Sequence, residues 1–375
     1  MVSRQPRYDS PPHGLDLLPT ADPLQLLAPD GTLSGPVPAD LKDDDLLALY
    51  RSMVTTRRVD REAVNLQRQG QLGAYPPNLG QEAAQVGPAY ALAEQDWLFP
   101  AYRELGAMLV RGVPASAVAH LFRGTWHSAH DPAEHRVGLL CLPIATQTLH
   151  ATGYAMGAAL DNAPTAVLTY LGDGATSEGD AHEAFNFASV FDAPIVFVIQ
   201  NNQFAISVPL RRQTRAHSLA HRGVGYGIPG VLVDGNDVLA CYAATSRALA
   251  RARAGDGPTI IEAVTYRMDG HSTADDPTRY RTAGSVEAWR GRDPIERLSR
   301  LLRARGLLDD AVAAQIDDAA AGAAQALRDD IWDAAAPAPE EMFDHVSGTL
   351  TPAQRRQREQ LRAELAAGSD AAAGA

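Results

Sequence analysis

At 375 residues the chain is long enough to bury a large core, and its 45% apolar content, with no run near the ~20 apolar residues of a membrane span, reads as a globular protein with no membrane segment. The net charge of −12 disfavours nucleic acid as a partner, and with Lys42 as the only lysine there is neither a pocket lysine for a Schiff base nor a Gly-Lys-Ser/Thr phosphate loop. Cys141 and Cys241 are the only cysteines and lack metal-ligand spacing, which predicts a reducing cytoplasm, no disulfide, and both thiols as buried small hydrophobes.

Residues 1–40 are rich in proline, lack the pattern of a secretory signal, and predict an extended arm with a disordered start. Within the arm, Leu24-Gln25-Leu26-Leu27 suggests packing on a surface such as that of a neighbouring subunit. Asp43-Asp44-Asp45 opens a helix through Gln69, and the acidic triplet reads as a solvated helix start that suits the dipole, rather than as a metal site. Gly70 to Gly80 is a loop, and Gln81-Glu82 begins a helix of small residues. Arg103 has the planar fork that binds phosphate oxygens in pairs and serves equally well in a structural ion pair; Tyr102 beside it offers a hydroxyl. His127, His130 and His135, with Asp131 and Glu134, invite a zinc reading, but their spacing is not a standard one and the segment reads as a polar loop. Pro143-Ile144-Ala145-Thr146-Gln147 opens another helix of small residues, in which Gly153 and Gly157, one turn apart, predict close packing against a second helix, in this chain or across a subunit interface.

The centre of the chain is a strand-helix-strand unit. Ala166 to Leu171 reads as a buried parallel strand, Ser177 to Phe191 as a helix, and Ile195 to Ile199 as the next strand. Gly172-Asp173-Gly174 and Asn201-Asn202 therefore fall at the carboxyl ends of two parallel strands, the edge where open parallel sheets bind ligands. The Asp173 carboxylate and the Asn202 amide oxygen suit Mg²⁺, the glycines allow a phosphate to approach the backbone, and the helix start presents free N–H groups. The expected ligand is a diphosphate carried with a divalent metal.

Beyond this unit, Arg211 to Arg222 is a basic loop, Val231 to Val233 a strand, Val238 to Ala254 a helix and Thr259 to Val264 a strand, a succession that fits one doubly wound sheet. Met268 to Arg281 is a polar loop holding His271, Ser272, Asp275 and Asp276. From Pro294 the chain is helical, is broken at Pro337-Ala338-Pro339, resumes from Thr351 to Ala367, and ends in a disordered tail from Gly368. The expected division is an arm (1–40), an α/β domain (41–335) and a helical tail (336–375).

The run Gly172 to Asp180, followed by Asn201-Asn202-Gln203-Phe204-Ala205-Ile206-Ser207, resembles the alpha subunit of the first, decarboxylating component of 2-oxo acid dehydrogenase complexes. Tyr102-Arg103-Glu104, Pro143 to Gln147, Val233 to Asp237, Thr265-Tyr266-Arg267 and His271 to Asp276 match in the same order, so the resemblance spans Leu46 to the tail. It implies a three-layer α/β fold that binds thiamine diphosphate, with a mainly parallel sheet, an N-terminal arm and a helical C-terminal extension. It implies Mg²⁺ on Asp173, Asn202 and the Phe204 carbonyl, the diphosphate on Tyr102, Arg103 and His271, and cofactor contacts from Leu142, Ile144, Gly172, Gly174 and Ala175, with His271 also catalytic. Ser272 matches a serine that mitochondrial relatives phosphorylate, where added charge would sit beside the diphosphate. Cys141 and Leu142 replace hydroxyl residues of mammalian branched-chain members, so no potassium site is expected. The implied activity is oxidative decarboxylation of a 2-oxo acid with reductive acylation of a lipoyl group on the acyltransferase component. The glutamate that activates thiamine comes in this family from a beta subunit, which implies a heterotetramer of two alpha and two beta chains. The ordered match is nearest to bacterial branched-chain subunits, with pyruvate and acetoin as alternative substrates and a non-catalytic scaffold as the alternative of another class. Animal-type pyruvate subunits carry a histidine in the loop that here runs from Gly70 to Gly80 without one.

Overall fold

The apolar runs form a five-stranded, wholly parallel sheet in a computed structural model that describes residues 17–125, 129–344 and 346–373. The sheet strands are β1 (Trp97–Phe99), β2 (Val167–Gly172), β3 (Ile195–Asn201), β6 (Gly230–Asp234) and β7 (Thr259–Val264); β4 (Phe204–Ala205) and β5 (Val208–Pro209) make a small hairpin. The sheet order is β1-β2-β3-β7-β6. Gly172 pairs with Gln200, and Val264 pairs with both Asn201 and Asp234, so four strands end along one edge.

Alternation along each strand feeds two cores. Leu168, Tyr170, Val196, Val198 and Ile261 face the helices Asp43–Arg68, Glu82–Tyr90 and Val238–Ala254. Val167, Leu171, Ile195, Phe197 and Ile260 face Thr146–Leu160 and Gly179–Val190. Three layers result, and burial on both faces is why these strands read as continuous apolar runs. Each fully buried Val, Leu, Ile or Phe contributes ~1.5–3 kcal/mol. The helix after β2 and the helix after β6 cover opposite faces, which opens a crevice at the carboxyl edge.

The arm packs on its own chain. Leu24 bridges Val233 on the outer strand β6, donating to Leu232 O at 2.8 Å and accepting from Asp234 N at 3.0 Å. The Asp237 carboxylate caps the helix Val238–Ala254 and also accepts from the backbone of Leu26 and Leu27, both at 2.7 Å. The packing of this stretch on a surface, expected from the sequence, is met by the open sheet edge of the same chain, where Leu27 is buried. Asp45 is part of a helix start, accepting from Lys42 N at 2.8 Å.

The chain divides into two compact units between Trp332 and Asp333. In the second, Arg362 pairs with Glu340 at 2.5 and 2.9 Å, and the helix Pro352–Ala373 runs past Gly368, where disorder was expected. Alanine-rich sequence favours continuing the helix over fraying. No described helix is long and apolar enough to cross a membrane.

Candidate active site

The crevice at the sheet edge opens to solvent and is lined by Tyr102, Arg103, Ile144, Gly172, Asp173, Gly174, Ala175, Asn202, Phe204 and His271, all expected from the sequence. Leu142 is not brought in with them; it is half exposed in an adjoining depression with Tyr75, Phe122 and Ser272. Residues the sequence reading left without a role also line the crevice, chiefly Gln81, Glu104, Gln147, Gln200 and Arg267.

Asp173 follows β2 and starts a short 3-10 turn, Gly174–Ser177, before the helix Gly179–Val190. Burial pushes its carboxyl up to about 6, against a hydrogen bond from Gln213 Nε2 at 2.6 Å. A Cβ on Gly174 would lie 2.6 Å from Ala205 Cβ, so glycine is required for the β4 hairpin to close over this turn. Asn202, just past β3, donates from Nδ2 to Gln81 Oε1 at 3.0 Å and accepts at Oδ1 from Phe204 N at 3.3 Å.

Two guanidiniums face the same crevice. Arg103 is 6% exposed and donates to Pro77 O at 2.7 Å and to His271 O at 2.8 Å. Arg267 is fully buried and donates to Phe204 O at 3.2 Å, to Ile206 O at 2.5 Å and to Tyr280 Oη at 2.8 Å. No carboxylate forms an ion pair with either among the described residues. Burial lowers the Arg267 pKa, and Arg103 lowers it further. Two buried guanidiniums, neither in a direct ion pair among the described residues, give this crevice the chemistry to receive a polyanion.

His271 Nδ1 lies 3.2 Å from Arg103 and 3.4 Å from Arg267. Burial and both guanidiniums lower its pKa to about 4. The ring is therefore neutral; its Nδ1 must accept, because both neighbours can only donate, and the proton sits on Nε2. The Tyr102 ring packs edge-on to it at 6.2 Å. Glu104 is buried and takes hydrogen bonds from Gln200 Nε2 and the Arg103 backbone; burial pushes it up to about 7. Ala145 (φ 68) and Ile206 (φ 55) hold left-handed conformations on either side of the crevice.

Four buried polar atoms of the lining have no partner among the described residues: Gln81 Nε2, Gln147 Oε1, Gln200 Oε1 and Arg267 Nε. Cys141, expected to be buried, is half exposed and lines the crevice, because the loop before the helix Thr146–Leu160 faces the opening rather than a core. Among the described residues of the histidine loop no three His, Cys, Asp or Glu converge. His130 instead donates from Nε2 to Val137 O at 3.0 Å, and His127 lies outside the described residues.

The loop over the crevice is anchored on Asp60, which is buried and accepts from Tyr75 Oη and Asn78 N, each at 2.9 Å. Tyr75 in turn exchanges two bonds with Thr273, at 3.1 and 2.9 Å, tying this loop to the His271 loop. Burial pushes Asp60 up to about 7 from 3.8, so its contribution to stability is full at low pH and lost as pH rises through 7. Asp60→Asn keeps an accepting oxygen and is expected to flatten the fall in melting temperature between pH 4 and 7. Asp60→Ala, which leaves the Tyr75 hydroxyl and the Asn78 N–H unpaired, is expected to lose ~2–4 kcal/mol at pH 6. Thermal melts of both variants across that range check the pair.

A parallel α/β sheet whose carboxyl edge joins a buried carboxylate, an amide oxygen and two guanidiniums free of direct ion pairs is the class of architecture suited to a polyanionic ligand. Residues 50–343 match the family model described as the dehydrogenase E1 component, and the chain belongs to that family. It is 52% identical, over 95% of its length and 97% of the relative's, to the 3-methyl-2-oxobutanoate dehydrogenase subunit alpha of Mycobacterium tuberculosis. It is 41% identical to the pyruvate dehydrogenase E1 component subunit alpha of Staphylococcus epidermidis, over 76% of this chain and 78% of that one. The corresponding Staphylococcus aureus subunit is also 41% identical, over 72% of this chain and 74% of the relative.

Proposed function

We propose that the chain is the alpha subunit of a 2-oxo acid dehydrogenase, an oxidoreductase that uses thiamine diphosphate and Mg²⁺ and acts on 3-methyl-2-oxobutanoate. The observation that carries this reading is the meeting of Asp173 and Asn202, from the ends of adjacent parallel strands, with buried Arg103 and Arg267 in one crevice. The residues fit the cofactor: unpaired donors on Gln81 and Arg267 await acceptors, and a Cβ on Gly172 would meet nothing within 4 Å, so glycine leaves room there.

Asp173 and Asn202 would hold Mg²⁺ together with the Phe204 carbonyl, whose second lone pair stays available beside its bond from Arg267. Tyr102, Arg103 and the Nε2–H of His271 would bind the diphosphate, with the backbone of Gly172, Gly174 and Ala175 close by. Ile144 would support the rings from within the crevice, and Leu142 only from the adjoining depression that Ile144 also lines. When bound, thiamine diphosphate supplies the carbanion chemistry that the protein's own side chains lack. Arg103 and Arg267 hold His271 neutral with its proton on Nε2, so it can donate to an anion at the reaction centre.

The same reading assigns a beta subunit, two alpha and two beta chains per assembly, a lipoyl acyltransferase partner and a cytoplasmic setting. It keeps an arm (1–40), a cofactor domain (41–335) and a tail (336–375). An exposed helix face supports a partner chain. Gly153 and Gly157 meet nothing within 4 Å, Leu160, Phe187 and Val190 are exposed on the same two neighbouring helices, and Phe191 is exposed just past the second.

The test is turnover of this chain co-expressed with a beta subunit, with thiamine diphosphate, Mg²⁺ and an artificial electron acceptor. Preference for 3-methyl-2-oxobutanoate over pyruvate supports the reading, preference for pyruvate changes the substrate, and a stable complex without turnover on either favours acetoin or a scaffold. Gly172→Ala gives a sharper check on the cradle. Its methyl group enters free space, so the melting temperature of the ligand-free complex is expected to hold while cofactor affinity falls. Gly174→Ala, which collides with Ala205, is expected to cost ~1–3 kcal/mol of stability as well.

A further inference from the structure

We propose that Gln81 is a positioning residue of the diphosphate and metal cradle: its Oε1 fixes the Asn202 amide with the oxygen toward the metal, and its Nε2 donates to a diphosphate oxygen. The inference rests on the cofactor reading above and adds a residue to it.

The amide orientations follow from the network. The Phe204 N–H can only donate, so the Asn202 atom it meets at 3.3 Å is the oxygen. The Asn202 nitrogen then faces Gln81, and the Gln81 atom that receives it at 3.0 Å is Oε1. That leaves Gln81 Nε2, two N–H donors on a fully buried side chain in the crevice lining, with no partner among the described residues. A buried donor left unpaired costs ~1–3 kcal/mol, which an anionic acceptor in the crevice would offset.

The backbone holds Gln81 in place. Gly80 sits at φ +93, and a Cβ there would lie 2.7 Å from Tyr266 O, so only glycine lets this turn press against the strand end. The Gly80 carbonyl accepts from Thr265 Oγ1 at 2.9 Å and its N–H donates to Glu82 Oε2 at 3.1 Å. Gln81 is thus fixed from both sides before any ligand binds, which is the condition for a residue that orients another.

Two variants separate the two roles in the alpha-beta complex. Gln81→Met removes the acceptor and the donor, whereas Gln81→Glu keeps the acceptor for Asn202 and loses the donor. Thiamine diphosphate affinity is read by calorimetric titration at saturating Mg²⁺, and metal affinity by Mn²⁺ resonance with inorganic pyrophosphate as the probe. Both variants are expected to bind thiamine diphosphate at least tenfold more weakly than the native complex, and only Gln81→Met is expected also to weaken Mn²⁺. A purely structural role would shift the melting temperature of the ligand-free complex without separating the two variants in Mn²⁺ affinity. Native-like thiamine diphosphate affinity in Gln81→Glu would overturn the donor role, and it remains decisive if Gln81→Met fails to fold. Native-like Mn²⁺ affinity in a folded Gln81→Met would overturn the positioning role. If the native complex itself binds no thiamine diphosphate, the cofactor reading fails and this inference with it.

Discussion

Asp173→Ala is expected to abolish thiamine diphosphate binding in the presence of Mg²⁺ and to lower turnover of the alpha-beta complex by ~10³-fold or more, equivalent to about 4 kcal/mol of lost transition-state stabilisation. Asp173 is the only carboxylate among the proposed metal ligands, so its loss leaves neutral oxygens that bind a hard dication weakly. The same substitution is expected to leave the ligand-free fold intact. Burial already pushes this carboxyl up to about 6, against the hydrogen bond from Gln213 and the weaker pull of its own backbone N–H and Arg267, so desolvation outweighs what its partners return. Removing it relieves that desolvation, as is usual where function is held at the expense of stability. Melting curves of native and variant complexes, with and without thiamine diphosphate and Mg²⁺, separate the two effects. A cofactor-induced rise in melting temperature that survives in Asp173→Ala would remove Asp173 from the metal.

The parts of this fold legible in the sequence are those where one local signal dominates. β2, β3 and β7 are buried on both faces and so show as unbroken apolar runs between turn residues. The helix Val238–Ala254 is bounded by an Asp237 cap and a Gly255 in the left-handed region, both visible as residue types. β1 was not legible because three residues, Trp97–Phe99, carry no period. The helix after Asp173 begins later than its acidic residues suggest, because Gly174–Ser177 forms a tighter turn that the β4 hairpin packs against.

The candidate site divides the same way. Asp173, Asn202 and Arg103 stand at strand ends or in segments of distinctive composition, and sequence order alone brings them toward one edge. In the sequence Arg267 stands out only as part of the stretch Thr265-Tyr266-Arg267, although it lies three residues past the end of β7 on that edge. Its burial against Phe204 O and Ile206 O depends on contacts 63 and 61 residues away in sequence, which no local pattern reports. The amides of Gln81, Gln147 and Gln200 were silent for the same reason. A glutamine is ordinarily exposed, and only the closed fold shows these three buried with unpaired atoms.

Arg267→Met is expected to destabilise the chain on the order of 3–5 kcal/mol and to weaken thiamine diphosphate binding by at least tenfold. The guanidinium holds two backbone carbonyls of the β4 hairpin, the Tyr280 hydroxyl and, at 3.4 Å, the His271 ring. Methionine fills much of the volume but takes the guanidinium donors from the Phe204 and Ile206 carbonyls and the Tyr280 hydroxyl, leaving His271 Nδ1 to Arg103 alone, and the left-handed Ile206 loses the contact that holds it. Arg267→Lys keeps a charge but not the planar fork, so it is expected to recover part of the affinity and little of the stability. The two quantities are linked through the charge itself. In the native chain Arg103 and Arg267 oppose each other across the His271 ring, and a bound diphosphate would turn that repulsion into attraction for both. Inorganic pyrophosphate alone is therefore expected to raise the native melting temperature, and to raise that of Arg267→Met less. An equal rise in the two, measured by differential scanning calorimetry of the alpha-beta complex, would show that Arg267 serves only the fold and that Arg103 and His271 meet the anion without it.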